Sequence, residues 1–307
     1  MESTEPLVSI VLPTRNGERH LRDAIDSCLN QTYATLELIV VDDGSTDATP
    51  DILRDYADPR LRILRRTRDH GLPEALNTGF AASHGQYLTW TSDDNLYEPQ
   101  ALELMVNYLH LHPDVGLVYS DYWLIGENNE IIDKIIAEDP SALVRRDCVG
   151  ACFLYRRSVY EAVGEYNPAA RLAEDYEYWL RIAQRFAIAP LNTPLYRYRC
   201  RSGSLTGRIG WFAAARAGET ALLRLGWINR AEHRRRLAFI DVCEAFEAHQ
   251  LGEPSLVRQR ALRGILYNPA HLGNRGLISI LIRASVGSRT NRAIRLTTQH
   301  LLRRQHV

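Results

Sequence analysis

The chain has 307 residues, 45% of them hydrophobic and 24% charged. These values exclude wholesale disorder and leave either one large α/β domain with an appendage or two domains. The formal charge is zero, yet residues 1–199 carry 19 basic against 31 acidic side chains, and residues 200–307 carry 18 against 6. An acidic region followed by a basic one predicts two regions with different partners.

Five cysteines, odd in number and widely spaced, do not form a disulfide framework. Cys148 and Cys152 lack the second pair that structural zinc requires, so buried thiols in a reducing compartment are expected. Lys134 is the one lysine, which we attribute to coding bias. The opening "MESTEPLVSIVLP" has no basic segment leading into a long apolar one, so no secretory signal is expected. The longest apolar run, "GLISILI" at 276–282, is too short to span a bilayer. The expected location is cytoplasmic.

In chain order, "LVSIVLP" (7–13) predicts a strand and 18–30 a helix. "LELIVVDD" (36–43) predicts a second strand and 47–57 a second helix, with Asp47 as N-cap and Pro50 in the first turn. A third strand over 60–66 and helix over 72–83 follow, then a fourth strand over 86–94, a helix over 99–112, and a fifth strand over 115–123. Strands separated by helices imply right-handed crossovers and a mostly parallel, doubly wound sheet. "GENNE" (126–130) reads as a hairpin tip, 152–157 as a short strand and 173–186 as an amphipathic helix. Beyond about residue 205 only helical segments are expected.

In an open parallel sheet, ligands bind beyond the carboxyl ends of the strands. Those ends read "PTRNGE", "DDGSTD", "RTRDHG" and "SDDN". Neither a GxGxxG fingerprint nor a Walker A loop is present, which counts against dehydrogenase and phosphate-loop ATPase chemistry. Each acidic group could be a turn or helix cap. Two such clusters at one sheet edge instead suit a hard cation, because Mg²⁺ and Mn²⁺ prefer oxygen ligands and bridge phosphates.

"VSIVLPTRNGERHLRDAIDSCLNQTY", "ELIVVDDGSTDAT", "SDDN" and "LAEDYEYWLR", in this order and spacing, resemble glycosyltransferase family 2, the inverting enzymes of GT-A fold. The resemblance runs over about 7–206, and "TSDDNLYEP" is similar to the spore-coat polysaccharide branch of that family. It implies an α/β, Rossmann-like GT-A catalytic domain over 1–206; the helical periodicity beyond it, outside the resemblance, reads as an Arg-rich helical extension over 207–307. It further implies that Pro13, Thr14 and Arg15 line the nucleotide pocket and that Asp43, or its neighbour Asp42, hydrogen-bonds a pyrimidine base. Asp93 and Asp94 would form the DxD-type site, with Asp94 the direct ligand of Mn²⁺ or Mg²⁺ and Asp93 positioning ribose or sugar. Asp175, preceded by Glu174, corresponds to the catalytic base. Gly150 and Ala151 fall in the segment that faces donor sugar and acceptor.

Elementary chemistry agrees with such a set. Inverting transfer needs a carboxylate to take the acceptor's proton, and a cation to relieve charge on the departing nucleoside diphosphate.

Two positions depart from the family pattern. "ALNTG" carries Leu76 where relatives have Arg, with Arg68 nearby as a substitute. "YRYRCRSGSLT" carries Arg201 where relatives have a metal- or phosphate-contacting His. Arg stays protonated and cannot ligate a metal, but it can clamp phosphate.

The implied partners are a UDP- or dTDP-sugar donor and a saccharide or lipid-linked acceptor. The basic helices are expected to present a solvated face, with an anionic membrane surface or a second copy as alternatives. No nucleic-acid motif is present. Two other readings of the chain are a nucleotidyltransferase, for which "PTRNGE" fits poorly, and a degenerate transferase kept as a binding scaffold.

Overall fold

The computed structural model describes residues 5–200 and 210–285. Two compact units divide the chain, Met1–Gly210 and Trp211–Val307. The expected boundary at 206/207 lies outside the described residues.

In the first unit, the apolar runs become strands β1 (Val8–Thr14), β2 (Leu36–Asp42), β3 (Leu61–Arg65) and β4 (Tyr87–Trp90). They alternate with helices α1 (Leu21–Leu29), α2 (Thr49–Arg54), α3 (Leu72–Ala81) and α4 (Ala101–Leu111). Further strands are β5 (Leu96–Tyr97), β6 (Val115–Ile125), β7 (Ile131–Ile135), β8 (Phe153–Arg156) and β9 (Ala187–Arg199). Helices α5 (Arg157–Val163) and α6 (Glu174–Ala183) complete the unit. The strand order is β3-β2-β1-β4-β8-β6-β9-β5, with β7 paired to β6. β1 is parallel to both β2 and β4, and β2 to β3, while β8 runs antiparallel between β4 and β6.

The chain therefore winds from β1 outward to β3, then crosses to β4 on the other side of β1. That reversal is the switch point at which open α/β sheets bind ligands.

Alternation along β1 distributes the two layers. Val8, Ile10 and Leu12 join a buried cluster with Leu21, Ile25, Leu102 and Met105, under α1 and α4. Val11 faces the opposite layer, where a Cβ on Gly79 would lie 2.3 Å from Val11 Cγ1. Glycine there lets α3 sit directly on the strand. An aromatic group fills the rest of that layer: Tyr166 stacks on Tyr178 at 4.0 Å, and Phe153 packs on Trp179 at 4.4 Å.

The thirteen-residue β9 departs from the sequence reading, which placed no strand between 187 and 199. Pro190 and Pro194 disguise it, because proline donates no ladder hydrogen bond. The β6–β9 register shifts between Ser120 and Asp121, opposite those prolines. Helix α2 starts at Thr49 with Ala48 at the cap position. The expected cap, Asp47, instead accepts from Thr49 N at 3.0 Å one residue earlier.

The second unit contains α7 (Trp211–Arg224), α8 (Arg230–Gln250), α9 (Pro254–Tyr267) and α10 (Arg275–Ser285). Its small core includes Val242, Ala245, Val257, Ala261 and Leu277. The arginines are not all on a solvated face as expected. Buried Asp241 accepts from Arg216 Nη2 and Arg263 Nε, each at 2.6 Å. No described helix is long and apolar enough to cross a membrane.

Candidate active site

The ends of β1 and β4 meet at the switch point through one short contact: Thr14 Oγ1 donates to Asp93 Oδ2 at 2.6 Å. Gly17 closes over it. A Cβ there would lie 2.3 Å from Asp93 Oδ2 and 2.5 Å from Thr14 Oγ1, so only glycine fits without displacing the pair. Half-buried Pro13 lies within β1 opposite Val41. Arg15 is exposed and pairs with Asp69.

Asp42 and Asp43 point different ways, as neighbours leaving a strand must. Asp42 Oδ1 accepts from Ser45 N at 2.9 Å, and Oδ2 lies 3.4 Å from Arg65 Nε. Asp43 Oδ2 accepts from His70 N at 3.0 Å and Gly71 N at 3.2 Å. Its Oδ1 is buried, lies 3.3 Å from Arg66 Nε, and has no hydrogen bond of acceptable geometry. Buried Arg66 Nη1 also has no hydrogen-bond partner.

Arg66 therefore stands beside Asp43. Arg68, expected as the substitute for the family arginine, is exposed and donates to His70 Nε2 at 3.2 Å. The sequence offered no means of choosing among Arg62, Arg65, Arg66 and Arg68. Leu76 is fully buried. Its neighbour Asn77 pairs with the backbone of Tyr166 through both amide atoms, each bond 2.8 Å. The "ALNTG" segment thus serves packing in this chain.

Asp94 is buried on the turn after β4. Its backbone oxygen accepts from Arg199 Nε, and Asn95 Oδ1 accepts from Arg199 N, both at 2.8 Å. Arg201 lies outside the described residues.

A second acidic group forms around α6. Tyr178 and Trp179 anchor the helix in the aromatic layer, and Tyr176 Oη donates to Leu143 O at 2.6 Å. Trp179 is thereby a core residue. Burial raises the Asp175 carboxyl above the ordinary carboxylate range. Glu174 is pushed up to about 7 by burial and then by the Asp175 charge, and its Oε2 is buried without a partner.

Asp147, which the sequence reading passed over, is likewise pushed up to about 7 by burial and then by Asp175. It resembles an ordinary turn residue because Oδ1 accepts from Val149 N at 2.9 Å and Gly150 N at 3.2 Å. Gly150 has φ +66°, and a Cβ on it would lie 2.8 Å from Tyr122 Cε1. Its small size therefore admits the Tyr122 ring, whatever approaches from outside. Tyr122 feels both the Asp147 and Asp175 charges. Ala151 packs against the core cluster.

Among the described residues, no group of three or more His, Cys, Asp or Glu side chains could hold an ion alone. The strand ends supply carboxylate oxygen, which fits a hard cation that takes its remaining ligands from phosphate and water. They do not form a cage for a resident metal.

The sequence profile of Glycosyl transferase family 2 matches residues 9–164, which carry the ends of β1 through β4. An uncharacterized glycosyltransferase of Rickettsia felis is 32% identical over 200 residues, covering 61% of this chain and 32% of that protein. The chain thus spans about a third of that relative's length. S. aureus TarS 1-349 superposes with a TM-score of 0.61 at 15% identity, covering 90% of this chain and 88% of that one. Mannosyltransferase PcManGT from Pyrobaculum calidifontis superposes at 0.59 with 18% identity, covering 97% and 81%. These two share the GT-A type architecture seen here. With the profile matched over half its length, and across the strand ends where the carboxylates gather, the chain belongs to glycosyl transferase family 2.

Proposed function

We propose that this protein transfers a sugar from a nucleoside-diphosphate sugar, UDP- or dTDP-linked, to an acceptor hydroxyl with inversion at the anomeric carbon. One observation carries the reading: the Thr14–Asp93 contact joins the two strand ends at the switch point, where the Asp43 backbone N also donates to Thr14 O at 2.9 Å. TarS has been crystallised with UDP and with UDP-GlcNAc, and PcManGT with GDP-Man and Mn²⁺, which supports a nucleotide-sugar donor.

In this reading, Asp43 Oδ1 accepts the N–H of a uracil or thymine ring, filling a buried acceptor position that Arg66 flanks at 3.3 Å. Asp93, steadied by Thr14, accepts from ribose or sugar hydroxyls. Pro13 and Arg15 border the nucleotide. Asp94 would hold Mn²⁺ or Mg²⁺ jointly with the diphosphate, and the cation would supply Lewis-acid stabilisation of the leaving group.

Asp175 takes the acceptor proton. The acceptor oxygen bonds to the anomeric carbon while the bond from that carbon to the diphosphate oxygen breaks. The leaving group carries the electron pair away. Burial that raises the Asp175 carboxyl above its ordinary value makes it a stronger base than a solvated carboxylate.

Thermal-shift screening of nucleotide sugars with Mn²⁺ tests the donor class, because a ligand of the native state raises its melting temperature. UDP-sugars are expected to raise it and ADP-sugars are not. Asp94→Ala should remove the manganese-dependent part of the shift. A shift that is the same in Asp94→Ala contradicts the metal assignment.

A further inference from the structure

Arg199 ends β9 and is 2% exposed, among the largest fully buried side chains of the chain. Its guanidinium makes four hydrogen bonds. Nε donates to Asp94 O at 2.8 Å, and Nη1 donates to Gly126 O at 2.9 Å and Glu127 O at 3.0 Å. Nη2 donates to Asn129 Oδ1 at 2.6 Å.

Every one of these acceptors is neutral. The nearby Glu127 carboxylate is drawn the other way, lying 3.1 Å from Arg19 Nη1 and 3.4 Å from His20 Nε2. A buried guanidinium ordinarily has a carboxylate partner, because taking a charge out of water costs several kcal/mol. Here the fork is spent on tying two loops together.

One of those loops carries Asp94. The other is the Gly126–Glu130 turn at the tip of β6 and β7, closed by Gly126 N donating to Glu130 O at 2.9 Å. Two further bonds fix the end of β9 itself: Arg199 N donates to Asn95 Oδ1, and Cys200 N donates to Ile125 O, both at 2.8 Å. The Asp94 carbonyl and the Asn95 side chain that follows it are therefore held by one residue.

We propose that Arg199 is the positioning residue of the cation–diphosphate end of the site. It fixes the Asp94 loop to the Gly126–Glu130 turn. This rests on the nucleotide-sugar reading above and adds a residue which that reading does not use. None of its hydrogen bonds goes to Asp43 or Arg66, the residues of the proposed nucleoside end.

The distinction is measurable by titrating the full chain calorimetrically with uridine, with UDP in EDTA, and with UDP plus Mn²⁺. Arg199→Lys keeps the charge but loses the fork. Folded Arg199→Lys should bind uridine within two-fold of the unaltered protein, while the gain in UDP affinity brought by Mn²⁺ falls ten-fold or more. An arginine serving stability alone would lower the melting temperature and leave that gain intact, which would overturn the inference.

Asn129→Gly provides a second route if Arg199→Lys does not fold. Asn129 has φ +65°, which glycine adopts freely, and the substitution removes only the Nη2 acceptor. A loss of about three-fold in the manganese-dependent gain is expected, with uridine binding unchanged; no loss overturns the inference. Failure of the unaltered protein to bind UDP at all overturns the nucleotide reading and this inference with it. UDP binding whose manganese gain survives both substitutions overturns this inference alone.

Discussion

Asp147 and Glu174 show how much a carboxylate's role depends on what surrounds it. Both are held up to about 7, by burial and then by the Asp175 charge. An unfolded chain would release the Asp147 proton near 3.9. Between roughly pH 4 and 7 the native state therefore binds more protons than the unfolded one, so stability falls as pH rises through that window. Asn at 147 keeps the Oδ1 acceptor for Val149 N and Gly150 N and carries no charge. Asp147→Asn should stabilise the fold at pH 8 by about 1–3 kcal/mol, with the difference shrinking toward pH 5. Thermal melts at the two values decide it, and an equal shift at both would mean that Asp147 is not perturbed. Nothing in the string "DCVG" distinguishes such a residue from a turn former, because its perturbation comes from burial in the folded chain and then from Asp175 on a distant helix.

At the scale of elements, the strands with unbroken apolar runs were legible, and so were the acidic turns after β2 and β4. Two glycines placed against β1 let neighbouring segments pack close to those turns. Gly79 brings α3 onto Val11, and Gly17 lets the turn after β1 lie on the Thr14–Asp93 pair. Gly17→Ala should break that pair or displace the turn, at a cost of about 1–3 kcal/mol. A lower melting temperature together with weaker UDP binding is the expected result; melting and affinity both unchanged would show that the turn adapts. β9 was not legible, because Pro190 and Pro194 interrupt its pattern and β6 accommodates them by shifting register. With β9 unseen, Arg199 remained one arginine among several in "YRYRCR". Its burial depends on where the strand ends, which periodicity alone does not give.

At the scale of the whole molecule, the basic excess after residue 200 was plain in the sequence, but its distribution was not. A unit with a core of mainly alanine and valine buries little apolar surface per helix, and it turns some of its charges inward as pairs. Asp241 is fully buried between Arg216 and Arg263. Removing one member strands the others, so Asp241→Leu should destabilise the helical unit by about 3–5 kcal/mol, read as early loss of helical circular dichroism on heating. Retention of the full melting transition would mean that solvent screens the cluster.

Under the proposed function, Asp175 is the residue on which the chemistry turns. The most direct test is turnover of the UDP-sugar identified by thermal shift, following UDP release alongside donor affinity in the unaltered protein and in Asp175→Asn. The account predicts donor affinity within about two-fold and UDP release slowed by roughly 10²-fold or more. Equal rates in the two proteins would contradict it.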